Sequence, residues 1–189
     1  MLFRSNPQND NSWLRASKPI SSDRILIMKR YFNSEHYTLF NTALGEVICS
    51  GGIGMVSPDI IEYLQIDDSD GIYVFMGFFF PHPHSLRVFR IDEKCTATEV
   101  GNRALTDNGY FNRIVMGIDT TSTPPILSVL EMNEKNPTLW KFSLNPSNIN
   151  ASLSTPEALF PNYRDGDHYE PADSKMCIIN TRIFIAQTR

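Results

Sequence analysis

Apolar residues in this chain fall in short runs that suit β-strands. The clearest case is residues 71–93, where two runs rich in aromatic and β-branched residues, 72–80 and 86–91, flank a Pro-His-Pro-His connection. Such residues fit a pleated, half-buried surface better than a helix. Because Pro81 and Pro83 cannot donate ladder hydrogen bonds, the chain leaves the sheet between the two runs. The stretch therefore predicts a β-hairpin.

Runs of the same character recur along the chain. The interval from Arg24 to Gly71 is 47 residues, and the interval from Gly71 to Asn112 is 41 residues. The first three of the four runs each have a partner strand later in the sequence. Periods of about 40–50 residues with several strands per unit are typical of β-propeller blades. The runs are RILIMK at 24–29, GIYVFMG at 71–77, RIVMGI at 113–118 and RIFIAQ at 182–187, with partners that start at 37, 85 and 138.

Two pairs of these runs resemble the second and third strands of a kelch-like blade, which implies a propeller. The pairs are GIYVFMGF with SLRVFRID and NRIVMGI with TLWKFSLN. We therefore expect a mostly-β fold of repeated antiparallel hairpins that resembles a small β-propeller, with a small β-barrel or a β-sandwich as alternatives. Residues 1–22, rich in Asn, Ser and Pro, are predicted to form an extended N-terminal arm, and residues 23–189 a single β domain.

Two short helices are expected among the strands. Ser57-Pro58-Asp59 before IIEYLQI combines an N-cap residue, a proline at the first helical position and an acidic first turn. A further helical turn is expected after Thr155-Pro156-Glu157.

Charge and cysteine usage narrow the classes of partner and compartment. A formal net charge of −4 and a pI near 5.5 give no support for nucleic-acid binding. The longest apolar run is about half of the ~20 residues that a bilayer span needs, so no membrane association is expected. The three cysteines, Cys49, Cys95 and Cys177, are odd in number and widely spaced. That pattern disfavours a disulfide framework and favours a reducing, cytoplasmic compartment.

His82 and His84 form an H-x-H pair in the hairpin connection. Side chains two apart on an extended strand point to one face, where two imidazoles can share a metal ion. The cupin family uses such a pair. The glutamate that follows it in cupins is replaced here by Leu-Arg-Val, and prolines bracket His82. We expect an exposed turn without a cofactor or metal, and keep the two histidines only as weak metal candidates.

Aromatic side chains give the main indication of a binding surface. Phe78, Phe79 and Phe80 are consecutive, so on one strand they cannot all face inward. A large exposed apolar side chain often marks an interface, although a strand covered on both faces by its own domain explains the triplet equally well. The candidate binding residues are Phe78, Phe79, Phe80, His82, His84 and Trp140.

An enzyme remains the principal alternative to a binding protein. Arg4, Ser122-Thr123 and Glu131 or Glu170 follow an order similar to the Arg, Ser-Thr-Ser, Glu series of bacterial ADP-ribosyltransferases. That resemblance implies a nucleotide-using activity, and the histidine pair implies a metal-dependent one. The patterns of common hydrolase and metalloprotease motifs are absent from the sequence.

The sequence therefore favours a non-enzymatic interaction protein. Its exposed aromatic and Pro-rich loops would bind a protein partner, and self-association into a homo-oligomer is left open. A metal-dependent or ADP-ribosyltransferase-like enzyme is one alternative, and a barrel that binds a small ligand is another.

Overall fold

A computed structural model gives the fold, which is mostly β. Two compact units make up the chain: Met1–Ser57 with Lys94–Ala97, and Pro58–Glu93 with Thr98–Arg189. The structure describes residues 12–31, 34–54, 60–67, 71–78, 85–105, 113–132, 138–155, 157–159, 175–179 and 182–186.

The first unit contains one antiparallel sheet whose four strands follow chain order: β1 (Ser12–Pro19), β2 (Arg24–Tyr31), β3 (Ser34–Asn41) and β4 (Glu46–Gly54). Strand β1 lies within the predicted N-terminal arm and pairs with β2. The alternation expected of a half-buried strand is clear in β3, where every second residue is buried. The buried side chains of β2 and β3 are Leu26, Met28, Glu35, Tyr37 and Leu39.

The second unit contains a similar sheet that includes the predicted hairpin. Its strands are β5 (Ile60–Asp67), β6 (Gly71–Phe78), β7 (Ser85–Ile91) and β8 (Ala97–Ala104), again in chain order. Strand β6 pairs with β5 on one side and β7 on the other. Residues 72–78 are all buried, as expected of a central strand covered on both faces.

A third sheet follows in the second unit. It comprises β9 (Arg113–Asp119), β10 (Ile126–Met132), β11 (Thr138–Ser143) and the short β12 (Glu157–Leu159). Between β11 and β12 lie a turn of 3-10 helix and the helix α1 (Ile149–Ser154). The Asn148 side chain caps α1 by accepting a hydrogen bond from the Ala151 amide.

The last described strands, β13 (Lys175–Ile179) and β14 (Arg182–Ala186), form a two-stranded antiparallel hairpin. Within the second unit, β9 contacts both β5 and β13. The first strands of three successive sheets are therefore neighbours.

Within the second unit, one hydrophobic core lies between the β5–β8 sheet, the β9–β12 sheet and helix α1. The helix packs closely on β8, since a Cβ at Gly101 would lie 2.9 Å from Leu153 Cδ1. The fully or nearly buried members of this core are Tyr73, Phe75, Leu86, Val88, Leu105, Ile114, Met116, Leu127, Val129, Phe142, Leu144, Ile149 and Leu153.

These sheets confirm the predicted mostly-β fold of repeated antiparallel hairpins. None of the four described sheets closes on itself, so the alternative of a small closed barrel is wrong for this part of the chain. No described helix has the length and apolar character needed to span a membrane.

The predicted repeat matches the position of the strand within its sheet for three of the four runs and not for the fourth. The runs at 24 and 71 are second strands of their sheets, β2 and β6, and the run at 182 is the second strand of its hairpin, β14. The run at 113, however, is the first strand β9, and β10 is the second. Second strands begin at Arg24, Gly71, Ile126 and Arg182, which gives intervals of 47, 55 and 56 residues.

The predicted helix over IIEYLQI is wrong, because that segment forms β5. Its apolar residues fit a helical and a strand period equally, and pairing with β6 decides in favour of the strand, with Ile61 opposite Met76 and Tyr63 opposite Val74. The helical turn expected after Thr155 is also misplaced. Helix α1 ends before that residue, and Glu157 begins β12.

The cysteine expectation is also corrected. Cys49 on β4 and Cys95 in the β7–β8 connection form a disulfide, with Cα atoms 6.0 Å apart and a sequence separation of 46. Both cysteines belong to the first unit.

Candidate interaction surface

The β3–β4 hairpin ends in a turn that its own polar groups hold together. The side-chain Oδ1 of Asn41 accepts hydrogen bonds from the amides of Ala43 and Leu44, at 2.9 and 3.0 Å. The Gly45 amide donates to the Asn41 carbonyl at 3.0 Å, and Gly45 has a φ of +70° that suits a residue without a Cβ. An ordered turn thus presents Leu44 at the end of the hairpin.

Three large apolar side chains are exposed around this turn. Leu44 is 69% exposed, Val47 57% and Ile48 45%, and these are the exposed large hydrophobic residues of the described ranges. Single exposed apolar residues are ordinary, but a group of them on one element marks an interaction site more often than chance. We call Leu44, Val47 and Ile48 the exposed tip.

Strand β4 carries two residues of the exposed tip, Val47 and Ile48, on the edge of its sheet. No side chain of β4 is buried. Its pairing with β3 shifts register twice, so Ile48 and Ile53 are extra residues opposite the β3 ladder. Such bulges twist an edge strand and hinder further strand pairing. A partner at this surface would therefore contact side chains rather than extend the sheet.

The hairpin segment around the exposed tip contains little charge. Glu46 is the one charged residue in the sequence from 42 to 54. It is exposed, as are its neighbours in the turn. The hairpin segment itself offers three apolar side chains and one carboxylate, a composition that favours an apolar contact.

The predicted aromatic site is largely buried where it is described. Phe78 is 6% exposed, and the Arg87 guanidinium carbon lies 5.6 Å from its ring centroid. Arg87 also forms an ion pair with Glu99. Phe78 thus contributes to the architecture of its sheet. Phe79, Phe80, His82 and His84 lie outside the described residues.

Trp140 belongs to a packed group on the core face of the third sheet. Its ring packs against the shared core, and its Nε1 donates to the Glu131 carboxylate at 3.3 Å. The Arg103 guanidinium lies over Trp140 and Phe142, 5.7 and 5.9 Å from their centroids, and donates to the Leu153 carbonyl. Arg103 thereby links β8 to β11 and to the C-terminal end of α1, where a cation is favoured.

The described residues of the enzyme alternative lie apart. Ser122 follows β9, whereas Glu131 lies near the far end of β10, five residues past Ile126 and therefore roughly 17 Å along the strand. Glu131 is also buried beneath Trp140. Arg4 and Glu170 lie outside the described residues.

Asp119 organises the turn that contains Ser122. Its carboxylate accepts hydrogen bonds from the Thr121 hydroxyl at 2.6 Å, the Thr121 amide at 2.9 Å and the Ser122 hydroxyl at 2.9 Å. These bonds, led by the Thr121 hydroxyl, lower the pKa of Asp119 below its ordinary value. The Ser122 hydroxyl is engaged in this turn as a donor to Asp119.

The described residues contain no candidate metal-binding cluster. No three His, Cys, Asp or Glu side chains of those ranges are arranged to hold a metal ion. His82 and His84, the predicted H-x-H pair, lie outside the described residues.

Comparisons with other proteins add no assignment. No protein-family model matches the chain, and no curated protein or solved structure is significantly similar to it.

Sequence reasoning missed the exposed tip. The segment LGEVIC looks like an ordinary strand start, and its apolar residues are fewer than those of the β6 run. The informative pattern is Val47-Ile48, two adjacent apolar residues without alternation beside a polar turn. It becomes meaningful only once β4 is known to be the last strand of its sheet.

Proposed function

We propose that this chain is a non-enzymatic binding module that docks a protein partner on the exposed tip. The observation that carries the proposal is that the exposed large hydrophobic side chains of the described residues, Leu44, Val47 and Ile48, all lie on one hairpin. Burial of apolar surface contributes about 25 cal/mol per Å², so covering these side chains favours association. The proposal relocates the binding surface from the aromatic loops predicted by sequence to the β3–β4 hairpin.

A repeated-sheet scaffold supports a binding role. We propose that the arrangement is propeller-like. Support comes from the four-stranded sheets in chain order and from the neighbouring first strands β5, β9 and β13 of the second unit. In such scaffolds the sheets form the core while turns and edges meet partners.

A protein is the partner class that the exposed tip fits best. The net charge of −4 and the absence of Lys and Arg from the hairpin segment 42–54 disfavour nucleic acid. Self-association through the same surface stays open, and the experiment below distinguishes it.

The compartment is also a proposal. The cysteine count suggested the cytoplasm, whereas a disulfide between Cys49 and Cys95 is typical of an oxidising compartment or of a redox-responsive cytoplasmic protein. We retain the cytoplasmic location with the second of these explanations.

Affinity capture with two matched variants tests the proposed function. In the first, Leu44→Ser, Val47→Thr and Ile48→Thr remove the apolar tip. In the second, Thr42→Ser, Glu46→Gln and Ser50→Ala change three exposed polar positions of the same hairpin. Both variants would be compared with the unaltered chain in extracts of the native host, by quantitative mass spectrometry.

We expect a partner held by the unaltered chain and the polar variant to be lost by the apolar-tip variant. Gel filtration of the pure proteins would show whether that partner is a second copy. Equal retention by all three proteins would overturn the proposed surface, provided that their melting temperatures agree.

A further inference from the structure

Cys95 has a backbone conformation that side-chain-bearing residues seldom adopt. Its φ is +56°, in the left-handed region that favours glycine. Such a conformation persists where the surroundings hold it in place. Two contacts do so here: the disulfide to Cys49, and a 2.6 Å hydrogen bond that the Tyr37 hydroxyl donates to the Cys95 carbonyl.

The hydrogen bond to Cys95 comes from a buried and closely packed tyrosine. Tyr37 is 1% exposed, and its ring lies against Gly51 of β4 so closely that a Cβ there would be 2.3 Å from the hydroxyl oxygen. The same Cβ would lie 3.0 Å from the Cys95 carbonyl oxygen. Tyr37, Gly51 and Cys95 are therefore packed together, and the glycine makes room for the other two.

The segment that carries Cys95 is short. Lys94–Ala97 belongs to the first unit, although the residues on either side of it in sequence belong to the second. The disulfide supplies its covalent attachment to β4. Without that bond, the Cys95 carbonyl keeps its hydrogen bond from Tyr37, but the unfavourable φ loses its covalent support.

The disulfide lies where a reductant can reach it. Cys49 and Cys95 are both partly exposed, and β4 is an edge strand without a buried side chain. Thiol–disulfide exchange needs access to a sulfur atom. The β3–β4 pairing and the packing of Tyr37 against Gly51 do not involve the two sulfur atoms, so the bond can be reduced without unfolding its sheet.

We propose that the Cys49–Cys95 disulfide is a reversible redox switch whose reduction removes the covalent link between Lys94–Ala97 and β4 and loosens both segments. A dithiol reductant supplies the two electrons. One of its thiolates attacks a sulfur of the disulfide, forms a mixed disulfide and expels the other cysteine as a thiolate. Its second thiolate then attacks the mixed disulfide, which leaves two protein thiols and the oxidised, disulfide form of the reductant.

This switch adds a property to β4 that does not depend on partner binding. Cys49 directly follows Ile48 of the exposed tip. Reduction would therefore change the strand that carries the tip whether or not a protein docks there.

Hydrogen exchange measured by mass spectrometry tests the switch on the full chain. A Cys177→Ser background leaves Cys49 and Cys95 as the one cysteine pair. Exchange is compared before and after treatment with dithiothreitol, for peptides that cover 46–54, 94–97 and, as an internal reference, 71–78. Thiol counting confirms the state of the pair.

We expect reduction to speed exchange in 46–54 and 94–97 by at least about tenfold, which corresponds to about 1.4 kcal/mol of opening free energy, and to leave 71–78 unchanged. Unchanged exchange in all three peptides would overturn the switch. So would an equal increase in all three, since the disulfide would then be a staple for the whole fold. Two free thiols before treatment would overturn it as well.

Two variants keep the test independent of the reagent. Cys49→Ser with Cys95→Ser should reproduce the reduced pattern without dithiothreitol. Tyr37→Phe removes only the hydroxyl that holds Cys95, so it should speed exchange at 94–97 more in the reduced chain than in the oxidised chain. An equal effect of Tyr37→Phe in both states would contradict the proposal.

Discussion

Strands β4 and β6 are of similar length and both contain apolar residues and glycine, but they have opposite environments. Residues 72–78 of β6 are all buried, whereas β4 buries none of its side chains. The difference follows from position, because β6 has a hydrogen-bonded neighbour on each side and β4 ends its sheet. Apolar residues on a central strand build the core, and those on an edge strand are available to a partner.

The largest predicted effect comes from truncating the central strand. Phe75→Ala removes a fully buried ring and should lower the free energy of unfolding by about 3–5 kcal/mol. Val47→Ala on β4 should change it by no more than about 0.5 kcal/mol. Urea denaturation followed by circular dichroism measures both. If Val47→Ala were as costly as Phe75→Ala, the distinction between the two strands would be lost.

Glycines at the start of the two strands sharpen the comparison. Gly71 begins β6 with a φ of +83°, and a Cβ there would lie 2.4 Å from the Ile91 carbonyl oxygen. Gly45 precedes β4 with a φ of +70° and open space around it. We expect Gly71→Ala to cost more than about 2 kcal/mol and Gly45→Ala about 1 kcal/mol.

Thermal melts of these two variants would rank them. Gly45→Asn is the control for backbone conformation alone, because Asn tolerates the left-handed region better than Ala. If Gly71→Ala and Gly45→Ala lowered the melting temperature equally, the close contact of a Cβ at residue 71 with Ile91 would add nothing to the loss of stability.

Two arginines extend the comparison to charged side chains. Both guanidinium groups lie over two aromatic rings. Arg103 also donates to the carbonyl at the end of helix α1, whereas Arg87 forms a partly exposed ion pair with Glu99. Lysine keeps the charge but not the planar guanidinium. Arg103→Lys should cost about 1–2 kcal/mol and alter Trp140 fluorescence, and Arg87→Lys should cost less than about 1 kcal/mol. The reverse ranking would refute the linking role of Arg103.

Sequence patterns were sufficient for the buried strands of this fold. The aromatic and β-branched run of β6 identifies a strand on its own, and the turn prolines after it place the hairpin. Sequence patterns gave the wrong assignment where one pattern of apolar residues fits two different elements. RIVMGI was matched to second strands because a first strand that is buried on both faces looks the same, and IIEYLQI fits two periods.

The candidate site depended on facts that lie outside any local pattern. That β4 is an edge strand follows from how four strands pair, and its two bulges follow from register. Cys49 and Cys95 are 46 residues apart, and no spacing rule joins them. The exposed tip therefore required the three-dimensional arrangement, although its residues are ordinary in sequence.

The smallest predicted effect concerns Asp119, whose turn resembles the β3–β4 turn in being held by one polar side chain. Since the folded-state pKa lies below the ordinary value of 3.8, this carboxylate stabilises the fold above that pH. Its contribution is lost as the pH falls through the lowered pKa. Thr121→Val removes the largest cause of the shift and should reduce the loss of stability on acidification below pH 3.8.

Urea denaturation at several pH values measures this effect. Thr120→Val, at the exposed neighbouring position, is the matched control and should leave the pH dependence unchanged. An identical acid dependence in the Thr121 variant and the unaltered chain would show that the turn does not shift the titration of Asp119.

Carbene footprinting of the free chain and of its complex with a captured partner tests the central claim most directly. The account predicts that Leu44, Val47 and Ile48 are labelled in the free chain and protected in the complex, whereas residues 72–78 are unlabelled in both states. Unchanged labelling of the tip in the complex, with protection elsewhere, would contradict the claim that the edge strand β4 carries the binding surface.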